Sequence, residues 1–322
     1  MGWHSHCAIP TGDRSGREPM YTGILVPLDG SKTAEKVLPF ARFLARRLKL
    51  PVELLEVIDV AEIGRRILPD KAKFVDTALE TIERNSAKYL NTIAGTFAEG
   101  VVINCTVVKG TPAEAIVDKA AAEKSSLINM ATHGHSGIDR WLLGSVAEKV
   151  LRSTINPLLL IRATEEAKTE GEATLKSAIV PLDGSELAES VLPTVAELAK
   201  PLQLEVVLFR AYTIPYSALA VDPESSFLVS DEELISAMRD EVVAYLDKKA
   251  QAIKKLGVDR VSTIAEYGLA ADEIIALARK TPDVLIAMCS HGRSGVKRWV
   301  LGSVTETVAR HSGDPVLVTR PT

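Results

Sequence analysis

No run of lysine or arginine in this chain of 322 residues exceeds two, and the formal net charge is −4. A nucleic-acid partner would call for a basic stripe, so that class is set aside. Long hydrophobic runs are missing too. Apolar stretches such as residues 157–161 fall far short of the ~20 residues that cross a bilayer. The three cysteines, Cys7, Cys105 and Cys289, lie too far apart to form a disulfide framework or a metal-binding spacing. No secretory signal is found. These absences lead to the expectation of a protein of the reducing cytoplasm, without nucleic-acid or membrane partners. What is present is 46% apolar and 25% charged, the composition of a globular protein with length for two domains.

The organising feature is a repeat. Residues 130–162, MATHGHSGIDRWLLGSVAEKVLRSTINPLLLIR, return as residues 288–320, MCSHGRSGVKRWVLGSVTETVARHSGDPVLVTR, agreeing at 17 of 33 aligned positions. Each copy runs from an apolar strand into His-Gly, nine residues, Gly-Ser, an amphipathic helix, a proline and a second apolar run. A second repeated motif, Pro-Leu-Asp-Gly-Ser, ends the first strand of each half, at Asp29 and Asp183. The Asp motifs are offset by 183 − 29 = 154 and the His-Gly loops by 291 − 133 = 158. Four extra residues therefore stand in the second half, and the apolar loop 212–230 is the expected place for them.

Strands alternate with helices. In the first half, strands are expected over 24–28, 50–58, 101–108, 127–131 and 158–161. Helices are expected from the cap residue Ser31 to Leu48, over 70–96, after Pro112, and after Gly144-Ser145. Strands apolar on both faces mean a parallel sheet covered by helices on each side. Residues 1–19 lack periodicity and are expected to form a disordered leader. Residues 164–175 have linker composition, which leaves domains at 20–163 and 176–322.

At the ends of the strands, two readings stand beside each motif. Asp29 and Asp183 could accept bonds from a ribose or a base at the carboxyl edge of the sheet, or could simply organise a turn. Gly134, Gly137 and Gly144-Ser145, matched by Gly292, Gly295 and Gly302-Ser303, suit a phosphate at a helix N-terminus. The competing reading is a capping box, Ser145 with Glu148 and Ser303 with Glu306. The phosphate reading is the stronger, because a cap does not require the upstream glycine loop. His133 and His291 have no partner at a repeated spacing that would make a nucleophile–base pair. His135, next-but-one to His133, becomes Arg293 in the second copy, which argues against a metal pair. Arg140-Trp141 and Arg298-Trp299 recur, and Asn129 is a polar residue in an apolar strand without an evident reason.

Taken together, these motifs resemble the universal stress protein family, and the resemblance covers nearly the whole chain after residue 20, twice over. It implies a five-stranded parallel α/β fold of order 3-2-1-4-5 in each domain. It also implies pairing of the domains through their last strands, with further homodimerisation possible. In the family's ATP-binding branch the signature is Gly-x-x-Gly, nine residues, Gly-Ser/Thr. Here Ala131 and Cys289 replace the first glycine, and Cys289, the larger departure, makes the first domain the fuller match. The resemblance places Pro27, Asp29, Val57, Met130 and Val146 around the nucleotide, and Pro181, Asp183, Ala211, Met288 and Val304 in the second copy. It implies ATP, or AMP or ADP, with Mg²⁺ shared between phosphates and water. A regulator is then expected rather than a fast enzyme; the alternatives are a nucleotide-free interaction protein and a slow ATPase. The protein partner is not specified.

Overall fold

The computed structural model describes residues 21–66, 75–123, 126–132, 143–163, 169–213, 231–290 and 301–320. The leader at 1–19, both His-Gly loops (133–142 and 291–300) and nearly all of the loop 212–230 lie outside them.

The first half contains β1 (Gly23–Leu28), α1 (Leu38–Leu48), β2 (Val52–Ile58), α2 (Val60–Arg66), α3 (Val75–Ala94), β3 (Ile103–Lys109), α4 (Pro112–Ala122), β4 (Ser126–Ala131), α5 (Ser145–Ser153) and β5 (Leu158–Ile161). The second contains β6 (Ser177–Pro181), α6 (Glu186–Glu189), α7 (Val191–Leu202), β7 (Glu205–Tyr212), α8 (Asp231–Lys255), β8 (Val261–Tyr267), α9 (Ala270–Lys280), β9 (Val284–Cys289), α10 (Ser303–His311) and β10 (Val316–Thr319). Among the described residues no helix is long and apolar enough to cross a membrane.

All ten strands form one sheet, ordered β3-β2-β1-β4-β5-β10-β9-β6-β7-β8. Within each half the pairing is parallel and the order is 3-2-1-4-5. The halves join where β5 meets β10 antiparallel, with Leu159 opposite Leu317. The two domains are thus a pseudo-dimer within one chain. β1, β4 and β9 are buried along their whole length, as strands between helical layers must be. Each face of the sheet carries a hydrophobic core running through both domains. α1 and α7 pack against each other on one face. The other core takes Ile116 of α4, Val150 of α5, Ile274 of α9 and Val308 of α10.

Several sequence expectations need correcting. The helix expected from Ser31 to Leu48 is two pieces, a 3₁₀ turn at Ala34–Val37 and then α1. Pro39 supplies the break, since it has no N–H to give the carbonyl of Glu35 and its ring would clash there. Ser31 is not the N-cap residue, which is Thr33, but its Oγ accepts from the Ala34 N–H at 3.0 Å. The four added residues are not all in the loop 212–230. Tyr89 and Tyr245 make matching bonds, to Glu35 and Glu189, and are offset by 245 − 89 = 156. Ile103 and Val261, matched through their register with Val52 and Val206, are offset by 261 − 103 = 158. Two residues are therefore taken up before Tyr245 and two between it and β8.

The segment before β6 lies along α1. Arg42 donates to the carbonyls of Thr169 and Gly171, and Arg46 pairs with Glu172 at 2.6 Å.

Candidate functional site

The Asp-Gly-Ser turns follow directly from their sequence. Gly30 and Gly184 have φ of +77° and +89°, a region open to glycine at little cost. This bend brings Asp Oδ1 back to the serine two residues on. Asp29 Oδ1 accepts from Ser31 N at 3.0 Å and Ser31 Oγ at 2.6 Å, and Asp183 Oδ1 accepts from Ser185 N at 2.9 Å and Ser185 Oγ at 2.6 Å. The turn-forming role of both aspartates is therefore real, and it holds each carboxylate at the carboxyl edge of the sheet.

The competing capping-box reading fails in both copies. Gly144 and Gly302 are the N-cap residues, and Ser145 and Ser303 stand one place later, as the first residues of α5 and α10. Glycine has no side chain to satisfy the first N–H groups of the helix. Ser145 and Ser303 are exposed. The glutamates turn elsewhere: Glu148 pairs with Arg152 and Arg310, and Glu306 with the same two arginines. The glycines are held from behind, Gly144 N donating to Thr132 O at 2.7 Å and Gly302 N to Ser290 O at 2.8 Å.

In the second domain these pieces meet. An open cleft of about 270 Å³ lies beyond the carboxyl ends of β6, β7 and β9 and reaches the start of α10. Pro181, Asp183, Ala211, Met288, Cys289, Gly302, Ser303 and Val304, the expected residues that fall in the described part of this domain, all line it. The location is where open α/β sheets take ligands, and the volume is close to the ~300 Å³ at which small-molecule sites begin. The sequence reading missed the apolar wall made by Phe209, Ala270 and Ile274. Ala270 and Ile274 sit at the start of α9, after the third strand, where the two halves share only the sparse Gly-x-x-Ala-x-x-Ile match of residues 110–116 with 268–274. Cys289 does not stand in the cleft as a bare obstruction. Its Sγ receives Ser190 Oγ at 3.5 Å, and its carbonyl receives Thr305 Oγ1 at 2.9 Å.

The first domain puts Pro27, Asp29, Val57, Met130, Ala131, Gly144, Ser145 and Val146 at the corresponding strand ends and helix start. Gly134, Gly137, Gly292 and Gly295 are outside the described residues. Beside each Asp turn stands a tyrosine with a charged surround. Burial, then Glu35, Glu56 and Asp29, push the Tyr89 phenol above its ordinary range. Burial and the hydrogen bond to Glu189 do the same to Tyr245, while Arg210 pulls it back.

The comparisons with known proteins agree with this architecture. The profile of the Universal stress protein family matches residues 20–162 and 174–320. A universal stress protein of Methanocaldococcus jannaschii is 30% identical over 145 residues, spanning 45% of this chain and 84% of that protein. One of Mycolicibacterium smegmatis is 22% identical over 305 residues, 93% of this chain and 97% of its own. The crystal structure of a universal stress protein from Archaeoglobus fulgidus superposes with a TM-score of 0.65 at 21% identity, covering 94% of this chain and 99% of that one, a likeness of fold. With both halves matched separately and the strand order of each half in hand, the chain belongs to the universal stress protein family, as a tandem of two of its domains.

Proposed function

We propose that this protein binds ATP, or a related adenine nucleotide such as ADP or AMP, in one or both domains and acts as a nucleotide-dependent stress-response regulator. The observation that carries the reading is the cleft of the second domain. Its apolar wall suits a base, and at its other end α10 begins on a glycine, presenting uncapped N–H groups and a positive dipole end to a phosphate. Ser303, and Ser145 in the first domain, would add a hydroxyl to the phosphate contacts. Asp183 and Asp29 would face the sugar or base.

Mg²⁺ would come bound to the phosphates. Among the described residues no group of His, Cys, Asp and Glu is gathered to hold a metal, so its remaining ligands would be water. No candidate general base recurs in the two copies, which favours a ligand-dependent shift of conformation or partner affinity over turnover. The engagement of each Asp Oδ1 in its own turn favours a second reading, an interaction scaffold without nucleotide.

The test is the nucleotide content of the freshly purified protein, released by denaturation, together with Gly144→Asp and Gly302→Asp. Both glycines have φ near −60°, so aspartate fits, caps the helix and places a carboxylate where a phosphate would sit. Adenine nucleotide that disappears from these folded variants supports binding. No nucleotide, and no uptake of added ATP with Mg²⁺, leaves the scaffold.

A further inference from the structure

The two domains are built on one plan, but the charge gathered around their Asp-Gly-Ser turns differs. In β2 the residue before Val57 is Glu56, whose Oε1 accepts from Ser86 Oγ at 2.8 Å. In β7 the residue before Ala211 is Arg210, whose guanidinium lies 4.7 Å from the centre of the Tyr245 ring. The guanidinium also lies against the Asp-Gly-Ser turn: its Nη1 is 3.0 Å from the point a Cβ on Gly184 would occupy. Around Tyr89 the first domain gathers Asp29, Glu35 and Glu56, opposed by Lys32, whose side chain is 84% exposed. Around Tyr245 the second gathers Asp183 and Glu189 against Arg210 and Lys249, the lysine 2.5 Å from Glu189 with its side chain only 19% exposed. Counted over the described residues, the first surround is net acidic and the second is balanced.

Space differs in the same direction. The second cleft is lined by Ala211 and Ala270, at the positions where the first domain has the bulkier Val57 and Pro112. Phe209, in place of Leu55, backs the cleft wall with a larger apolar side chain that is itself only 1% exposed.

We infer that the two domains take nucleotide unequally, the second filling first, and that Arg210 sets the preference by offsetting the carboxylates that would repel an anionic ligand. The inference rests on the adenine-nucleotide reading above. It places the tighter site in the domain that departs further from the family signature at Cys289. Exchanging one positive for one negative charge at about 10 Å, in a partly solvated cleft, changes anion affinity on the order of tenfold.

The experiment is calorimetric titration of the full-length protein with ATP–Mg²⁺ and, separately, with adenosine, which carries no phosphate. Gly302→Asp should remove the tighter phase, and Gly144→Asp should keep it. In the Gly144→Asp background, Arg210→Glu should weaken ATP by about tenfold or more while changing adenosine less than threefold, and Arg210→Lys should restore most of the ATP affinity. Arg210→Gln replaces the glutamate variant if thermal melts show that the latter is unfolded. A tight phase that survives Gly302→Asp and is lost in Gly144→Asp overturns the order of filling. Equal weakening of ATP and adenosine overturns the charge role of Arg210, as does an unchanged ATP affinity. A wild-type protein that takes up no ATP overturns the nucleotide reading itself, an outcome distinct from uptake in the wrong order.

Discussion

Arg310 of α10 lies 3.3 Å from Glu148 of α5, across the boundary between the two domains. Arg152 returns the contact to Glu306 at 3.4 Å, and each arginine also pairs with the glutamate four residues before it. The result is a four-membered ring of alternating charge, joining two helices that both begin at a candidate phosphate site. The side chains are partly exposed, so each pair contributes modestly, about 0.5–1 kcal/mol. Glu148→Gln is expected to lower unfolding stability by about 1 kcal/mol, with less loss at high salt. A double-mutant cycle with Arg310→Gln should return a coupling of roughly 0.5 kcal/mol. Additive losses would mean that the contact is geometric only.

Asn129 is fully buried, and among the described residues neither amide atom has a hydrogen-bond partner. The matching residue of the second domain is Ala287, buried in the same core. Relief of an unsatisfied buried amide favours folding by about 1–3 kcal/mol, and the small cavity left behind offsets part of it. Asn129→Ala should therefore raise the denaturant midpoint by about 1 kcal/mol equivalent without changing the slope. A lowered midpoint would show that the amide has a partner in solution, such as a bound water.

How much of this could be read in advance depends on the range of the interaction. The central strands were legible because both of their faces are apolar, and Asp-Gly-Ser announced a turn because only glycine settles easily at the φ of Gly30 and Gly184. The Ser-x-x-Glu spacing, the weaker of the two readings, is not used as a cap. It fits a capping box, but the preceding glycine takes the cap position and the glutamate finds arginines across the interface. One of them, Arg310, is 310 − 148 = 162 residues from Glu148, and no local pattern carries that. Arg210 was legible as a residue, but its meaning depends on Tyr245 and Gly184, which the fold alone brings beside it.

Asp314 lies just before β10, and burial pushes its carboxyl up to about 6, with Arg279 pulling the other way. An acid whose folded pKa is raised destabilises the fold once it ionises. The native state then holds more protons than the unfolded chain between about pH 4 and pH 6, and stability falls as pH rises through that window. Asp314→Asn removes the ionisation. It should match the wild type near pH 4 and be the more stable of the two above pH 6. Urea midpoints at pH 4.5 and 7.5 give the comparison, and a gap that does not widen with pH refutes the assignment.

Gly30→Ala should cost about 1 kcal/mol from its left-handed backbone alone, since nothing lies within 4 Å of the new Cβ. Gly184→Ala should cost a similar amount, because the neighbour it meets is the movable end of Arg210. Thermal melts of the two variants provide the check. A much larger loss at Gly184 would show that Arg210 is locked in place.

The antiparallel junction of β5 with β10 has one further consequence. Two separate chains that meet through such an edge separate on dilution and can exchange with other copies. Here each half meets a partner that never diffuses away, so the junction forms at any protein concentration. A self-associating chain must also present the same residues on both sides of its two-fold axis. A fused pair is released from that constraint. One half can keep Glu56 while the other keeps Arg210, and a single gene product can carry two different binding strengths in a fixed one-to-one ratio.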